Sequence, residues 1–208
     1  METKGAINMK RLTILLTILL SVFIIAGCGG SPAPKAETKP AASTASSPKK
    51  AIVIYYSWSG TTRRLAKKIA DAAKADIAEI HTVTPYPTDY NEVAEQAKLE
   101  VEKGFMPEIR DDLPNLKDYD VIYIGTPTWW YHMAPPLASY LAKHGSEFQG
   151  KHVMPFCTNG GKEGSTLSDI AKACPGAKVN PGLSLAGGQV ESGGEAIQQW
   201  IRQFEAQK

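Results

Sequence analysis

From residue 51 onward the chain alternates between two hydrophobic patterns. Three short apolar runs, at 51–54, 120–125 and 152–156, are nearly unbroken by polar residues. Runs of that kind are strands buried on both faces of a parallel sheet. The segments between them repeat at helical spacing. Leu65, Ala66, Ile69, Ala70 and Ala73 share one face of a helix whose other face carries Arg63, Arg64, Lys67, Lys68, Asp71 and Lys74. Tyr90, Val93, Ala97 and Val101 mark a second helix over 89–103, which Gly104 ends. Pro135-Pro136 opens a third through Leu137, Tyr140 and Leu141, a fourth covers 165–174, and a fifth runs over 194–204 with Ile197, Trp200, Ile201 and Phe204 inward. A more polar strand at 77–83 suits a sheet edge, and a short last strand at 179–186 is interrupted by Pro181-Gly182. The alternation predicts an α/β domain with a parallel sheet covered by helices on both faces.

Ahead of that domain the pattern changes. Lys10-Arg11 precedes an apolar run from Leu12 to Ala26, which ends in Ile25-Ala26-Gly27-Cys28. That run is short of the ~20 residues a plain membrane-crossing helix needs, and its small-residue end resembles a signal-peptide cleavage region. The last four residues resemble the bacterial lipobox, in which the cysteine is acylated before cleavage. Two readings stay open: residues 1–27 are a signal peptide that leaves a lipidated Cys28, or they are an uncleaved anchor. Both export the rest. Residues 28–49 hold Ala, Ser, Thr, Pro and Lys with no aromatic residue, the composition of a flexible tether. The expected organisation is thus signal peptide 1–27, lipidated cysteine and linker 28–49, and folded domain 50–208.

The chemistry concentrates where predicted strands end. Tyr55-Tyr56-Ser57-Trp58-Ser59-Gly60-Thr61-Thr62 links the first strand to the first helix, where unpartnered amides and the helix dipole favour an anion. A lone hydroxyl there reads as a helix cap. Four hydroxyls and a glycine exceed that need and point to phosphate, although the lysine and glycine spacing of a P-loop and the G-x-G-x-x-G pattern are missing. Thr126-Pro127-Thr128-Trp129-Trp130-Tyr131-His132 follows the third strand. Three adjacent aromatics on a predicted loop cannot all point inward, so one fills core and another is placed to cover a flat ring. Cys157-Thr158-Asn159-Gly160-Gly161 follows the next strand, either as an ordinary turn or as a third ligand loop. In open α/β sheets ligands sit beyond the carboxyl ends of the strands, where all three segments fall.

Charge and cysteine content narrow the picture. Of 23 basic and 21 acidic residues in the chain, six and two precede residue 50, leaving the domain at net −2, which gives no footing to nucleic-acid binding. Glu108, Asp111 and Asp112 form an acidic stretch that reads as a solvated loop or a docking surface. Cys157 and Cys174 stand at opposite ends of a strand-plus-helix unit, too far apart to bridge. His81, His132, His144 and His152 show no metal-ligand spacing.

On these motifs the chain resembles the flavodoxin family over residues 51–205. Ser57-Trp58-Ser59-Gly60-Thr61-Thr62 resembles the family's (S/T)-x-(S/T)-G-x-T phosphate loop. Asp120 to Trp130 resembles its third strand with the loop over the flavin, and Pro155 to Gly161 its third flavin-contacting segment. The resemblance implies a doubly wound, five-stranded parallel sheet of order 2-1-3-4-5 and FMN as cofactor. It implies that Ser57, Ser59, Gly60, Thr61 and Thr62 hold the phosphate and that Trp58 adds backbone contacts. Pro127, Thr128, Trp129, Trp130 and Tyr131 would flank the ring, and Cys157, Thr158, Asn159, Gly160 and Gly161 its edge and ribityl side. No catalytic side chain is implied, since the flavin carries the chemistry, and His132 is read either as a proton donor to it or as a surface imidazole. The expected activity is electron transfer between a reductant and a quinone-like or protein acceptor; a scaffold binding FMN or another phosphorylated aromatic without turnover is the alternative. The domain is far less acidic than carrier flavodoxins, which favours a membrane-tethered protein over a diffusing carrier.

Overall fold

The computed structural model describes residues 50–206 apart from residue 111, so the signal peptide, Cys28 and the linker lie outside the described residues. In chain order the elements are β1 (Ala51–Tyr56), α1 (Thr61–Ala73), β2 (Asp76–Ile80), α2 (Tyr90–Lys103), β3 (Val121–Trp129), β4 (His132–Met133), α3 (Pro135–His144), β5 (His152–Asn159), α4 (Thr166–Lys172), β6 (Lys178–Val179), β7 (Leu183–Ala186) and α5 (Gly194–Glu205). The central path is β2-β1-β3-β5-β6, all parallel, with β7 pairing β5 beyond β6. The expected order of five strands holds once β6 and β7 are read as one strand broken at Asn180-Pro181-Gly182. β4 is an addition, pairing antiparallel with the end of β3.

The alternation of side chains across the sheet sorts the core into two layers. Val53, Tyr55, Tyr123, Met154 and Phe156 face α1 and α5, meeting Leu65, Ile69, Ile197 and Trp200. Ile52, Ile54, Ile122, Ile124 and Val153 face the other way, onto Val93, Leu137, Tyr140 and Ile170. Each fully buried aliphatic side chain contributes roughly 1.5–3 kcal/mol, so the central strands anchor the fold. At Gly125 a Cβ would stand 2.1 Å from the Phe156 ring, so that side of β3 leaves room only for hydrogen.

The structure departs from the pattern mainly at strand ends. β3 continues past Gly125 through Pro127 to Trp129. Pro127 is tolerated because β1 has already ended: its last partner on β3 is Gly125, so no strand on that side needs the missing amide. Trp129 is therefore a strand residue, and Trp130-Tyr131 form a two-residue hairpin turn. β5 likewise runs on to Asn159 instead of closing at Phe156. β2 stops at Ile80, because Thr82 pairs with Ile109 in the loop between α2 and β3. Cys157 and Cys174 are free and buried, the first in β5 and the second in the turn after α4. No helix among the described residues is long and apolar enough to cross a membrane.

Candidate functional site

The turn after β1 enters α1 through Gly60, whose φ of 84° lies in the left-handed region glycine tolerates best. No side chain caps α1 from that position. The Arg63 amide donates instead to Ser57 Oγ at 3.2 Å. The Ser59 and Thr61 hydroxyls bond each other at 3.2 Å on the exposed side of the turn. Neither is spent as a cap, so both remain able to bond an anion above the first turn of α1. Thr62 differs: it is buried, and its hydroxyl bonds Thr158 at 2.7 Å. That bond ties the first loop to the end of β5.

Beside this turn lies a cavity of about 590 Å³. Trp58 forms one wall, its indole N–H fixed to the Pro87 carbonyl at 2.8 Å and its ring 6.4 Å from that of Tyr90. The hairpin supplies Trp129, Trp130 and Tyr131, with Thr128 at its base. Trp129 doubles as core: its ring meets Tyr56 and Tyr86 edge-on at 5.7 and 5.1 Å. Trp130 and Tyr131 remain 47% and 58% exposed, so of three adjacent aromatics one packs inward and two face the cavity mouth. The third wall is the glycine loop, Gly160-Gly161, with Lys162 as the single charged lining residue.

The hairpin turn is conformationally costly. Trp130 and Tyr131 have φ of 47° and 67°, and two-residue hairpins that need this geometry usually place Asn and Gly there. Surrounding contacts hold it. The Trp130 indole N–H donates to Ala94 O on α2 at 2.8 Å. The Ser165 amide donates to Tyr131 O at 2.7 Å, and Ser165 Oγ, Asp169 Oδ2 and His132 Nδ1 form a compact cluster with distances of 2.6–2.9 Å. His132 therefore helps clasp the hairpin to α4. Gly164 packs so closely that a Cβ would lie 2.2 Å from Tyr131 O.

The glycine loop is shaped by Asn159, whose Oδ1 accepts from the Gly161 amide at 2.8 Å and whose Nδ2 donates to Ser184 at 2.8 Å. Gly160 carries a separate message. No atom lies within 4 Å of where its Cβ would stand, and its φ is outside the left-handed range. Neither packing nor backbone demands glycine there, and a side chain at this lining position would project into the cavity mouth.

Of the residues expected at the site, Trp58, Thr128, Trp129, Trp130, Tyr131, Gly160 and Gly161 line the cavity. Ser57, Ser59, Gly60, Thr61 and Thr62 form the adjoining polar turn outside it. Pro127 lies in β3; Cys157 and Thr158 are buried in β5, where burial pushes the Cys157 thiol up. The α2 wall, Tyr90, Val93, Ala94 and Ala97, was not legible in advance, because its helical spacing reads equally well as core. Behind that wall Glu100 is buried, accepting from the Tyr86 hydroxyl at 2.5 Å and from Gln96 at 2.8 Å. Burial, and then this carboxylate, push the Tyr86 phenol up.

A hydroxyl-rich turn at a helix start, joined to an aromatic slot beyond the carboxyl ends of a doubly wound sheet, defines a protein for a phosphorylated planar ligand. A family model described as Flavodoxin matches residues 50–204, and the chain belongs to that family. It is 30% identical over 136 residues to a Caulobacter vibrioides protein named NAD(P)H dehydrogenase (quinone), covering 58% of this chain and 64% of the relative. An Archaeoglobus fulgidus protein of the same name is 30% identical over 134 residues, covering 56% and 67%. The chain thus spans about two-thirds of the length of these relatives. The structure of a Lactobacillus acidophilus flavoprotein in complex with FMN superposes with a TM-score of 0.58 at 27% identity, covering 70% of this chain and 98% of that one.

Proposed function

We propose that this protein is an FMN-dependent oxidoreductase, lipid-anchored through Cys28 on the outer face of a bacterial membrane, or on the outer membrane of a Gram-negative cell, that passes electrons from a reductant to a quinone-like acceptor. The observation that carries the cofactor is the pairing of an open cavity lined by aromatic side chains and Gly160 with a turn whose Ser59 and Thr61 hydroxyls serve no cap. The residues fit the group at both ends. Ser59, Thr61 and the first amides of α1 would hold the phosphate, while Trp58 and Trp130 would flank the ring and Gly160-Gly161 would admit its edge.

When bound, FMN supplies two-electron and one-electron chemistry. The chain's part is to bind, orient and shield. Trp58, Trp129 and Trp130 would exclude water from the ring, and fixing two of the indoles by hydrogen bonds to Pro87 and Ala94 makes the slot preorganised. Lys162 places a positive charge at the cavity rim, which favours a ligand that gains negative charge on reduction. The quinone acceptor is supported by the name the relatives carry; a protein acceptor is the other arm.

The test is anaerobic reduction of the FMN-loaded full chain by NADPH and by dithionite in parallel, followed by reoxidation with a soluble benzoquinone. Reduction by either donor and rapid reoxidation by quinone are expected. Bound FMN that dithionite bleaches but quinone does not reoxidise points to a protein acceptor. Tight binding with no reversible reduction contradicts the redox assignment and leaves a binding module. For the anchor, metabolic labelling with a clickable fatty acid should mark the exported chain and Cys28→Ala should abolish the label; a chain held in the membrane fraction without any lipid label would argue for an uncleaved N-terminal segment.

A further inference from the structure

The polar turn is rich in hydroxyls but holds no charge of its own, whereas a phosphate monoester carries about −1.5 to −2 near neutral pH. Two guanidinium groups stand over it. A Cβ at Gly60 would lie 3.7 Å from Arg63 Nη1 and 3.9 Å from Arg64 Nη1. Their commitments differ sharply. Arg63 is locked in a two-point pair with Glu79, Nε at 2.8 Å and Nη2 at 2.6 Å, and the Tyr55 hydroxyl closes on the same carboxylate at 2.9 Å. The Glu79 side chain is only 14% exposed, which makes that pair costly to break.

Arg64 is held loosely. Its Nε pairs with Glu191 Oε1 at 3.1 Å, with the two side chains 52% and 66% exposed, and an ion pair so open to water contributes little. Its Nη2 already lies 3.4 Å from Thr61 Oγ1. The carboxylate it would leave behind is not stranded, since Lys68 sits 3.3 Å from Glu191 Oε2. Glu191 is carried by the segment between β7 and α5, which abuts the phosphate turn: a Cβ at Gly187 would lie 3.5 Å from Thr61 Cγ2.

We propose that Arg64 is a cationic ligand of the FMN phosphate, parked on Glu191 until the cofactor arrives, with Lys68 then neutralising the released carboxylate. The inference rests on the flavin reading above and adds to the hydroxyl turn a counter-ion that the motif itself does not contain. The planar, always charged guanidinium suits paired hydrogen bonds to phosphate oxygens.

The experiment titrates the full chain in detergent with FMN and, separately, with riboflavin, which lacks the phosphate, at low and high salt. Arg64→Gln should weaken FMN about ten- to a hundredfold, the loss of one charge-assisted contact, and flatten the salt dependence. It should leave riboflavin affinity and the thermal midpoint unchanged, because residue 64 is exposed and glutamine is a good helix former. Glu191→Gln, which frees Arg64 in advance, should bind FMN as tightly or more tightly than the unaltered chain. Equal losses of FMN and riboflavin in Arg64→Gln, or an unchanged FMN affinity and salt dependence, overturn the proposal while the flavin reading stands. Failure of the unaltered chain to bind either flavin overturns both.

Discussion

The two ends of the site are built on opposite principles. The phosphate end is a turn of short side chains in relaxed geometry, with one positive φ at the glycine that accommodates it, and its hydroxyls bond one another or neighbouring loops. The ring end is made of large side chains on a strained turn, with both hairpin residues in the left-handed region and partners drawn from α2 and α4 to hold them there. A polar cradle can be preassembled from local sequence because hydroxyls and helix amides do the binding wherever the strand-to-helix turn forms. An aromatic slot has to be propped open, and its geometry depends on elements far away in the chain.

Substitutions at the two ends should therefore fail differently. The largest effect is expected at Gly160→Val, which puts a branched side chain on the cavity lining: FMN binding should fall at least a hundredfold by flavin fluorescence, with the thermal midpoint unchanged because nothing lies within 4 Å of the new Cβ. A lowered midpoint would mean the glycine serves the fold and not the ligand. Next, Ser59→Ala with Thr61→Ala removes two hydroxyl contacts to a charged acceptor, each worth about 1.5–3 kcal/mol. FMN should weaken at least a hundredfold and riboflavin not at all; equal loss of both would return these hydroxyls to a structural role.

Trp130→Ala acts at the ring end. Stacking worth ~0.5–1.5 kcal/mol beyond buried area is lost, so both FMN and riboflavin should weaken, by about tenfold, and quenching of bound flavin should diminish. An effect on FMN alone would show that Trp130 does not touch the ring. The smallest effect on binding is expected at Thr62→Val. It leaves the buried Thr158 hydroxyl without its 2.7 Å partner and should cost about 1–3 kcal/mol of folding stability in chemical denaturation, while FMN affinity changes little. A strong FMN defect with unchanged stability would instead assign Thr62 to the phosphate.

These asymmetries explain how much could be read in advance. The alternation of apolar runs and amphipathic stretches was enough for the doubly wound sheet, and the crowding of Ser57, Ser59, Thr61 and Thr62 before a helix was enough for an anion site, because both signals are local. Trp129 to Tyr131 stood out by composition alone. Their placement did not, since the apolar run of the third strand ends at Gly125 while β3 itself continues through Pro127 to Trp129. The α2 wall was hidden for another reason: Val93 and Ala97 occupy the same helical spacing whether they face core or cavity, and only the tertiary position of the hairpin decides which. Arg64 looked like one of several solvent-facing cations on α1, and its distinction from Arg63 rests on how exposed each partner carboxylate is.

Whether the hydroxyl turn and the aromatic slot serve one ligand is decided by a paired titration of the purified full chain with FMN and riboflavin, followed by flavin fluorescence. Saturable binding of one FMN per chain with quenched emission is expected, with weaker but similarly quenched binding of riboflavin, the ring sharing one slot and the phosphate adding affinity. Binding of FMN and riboflavin with equal affinity would detach the hydroxyl turn from the cofactor, and binding of neither would rule out a flavin site.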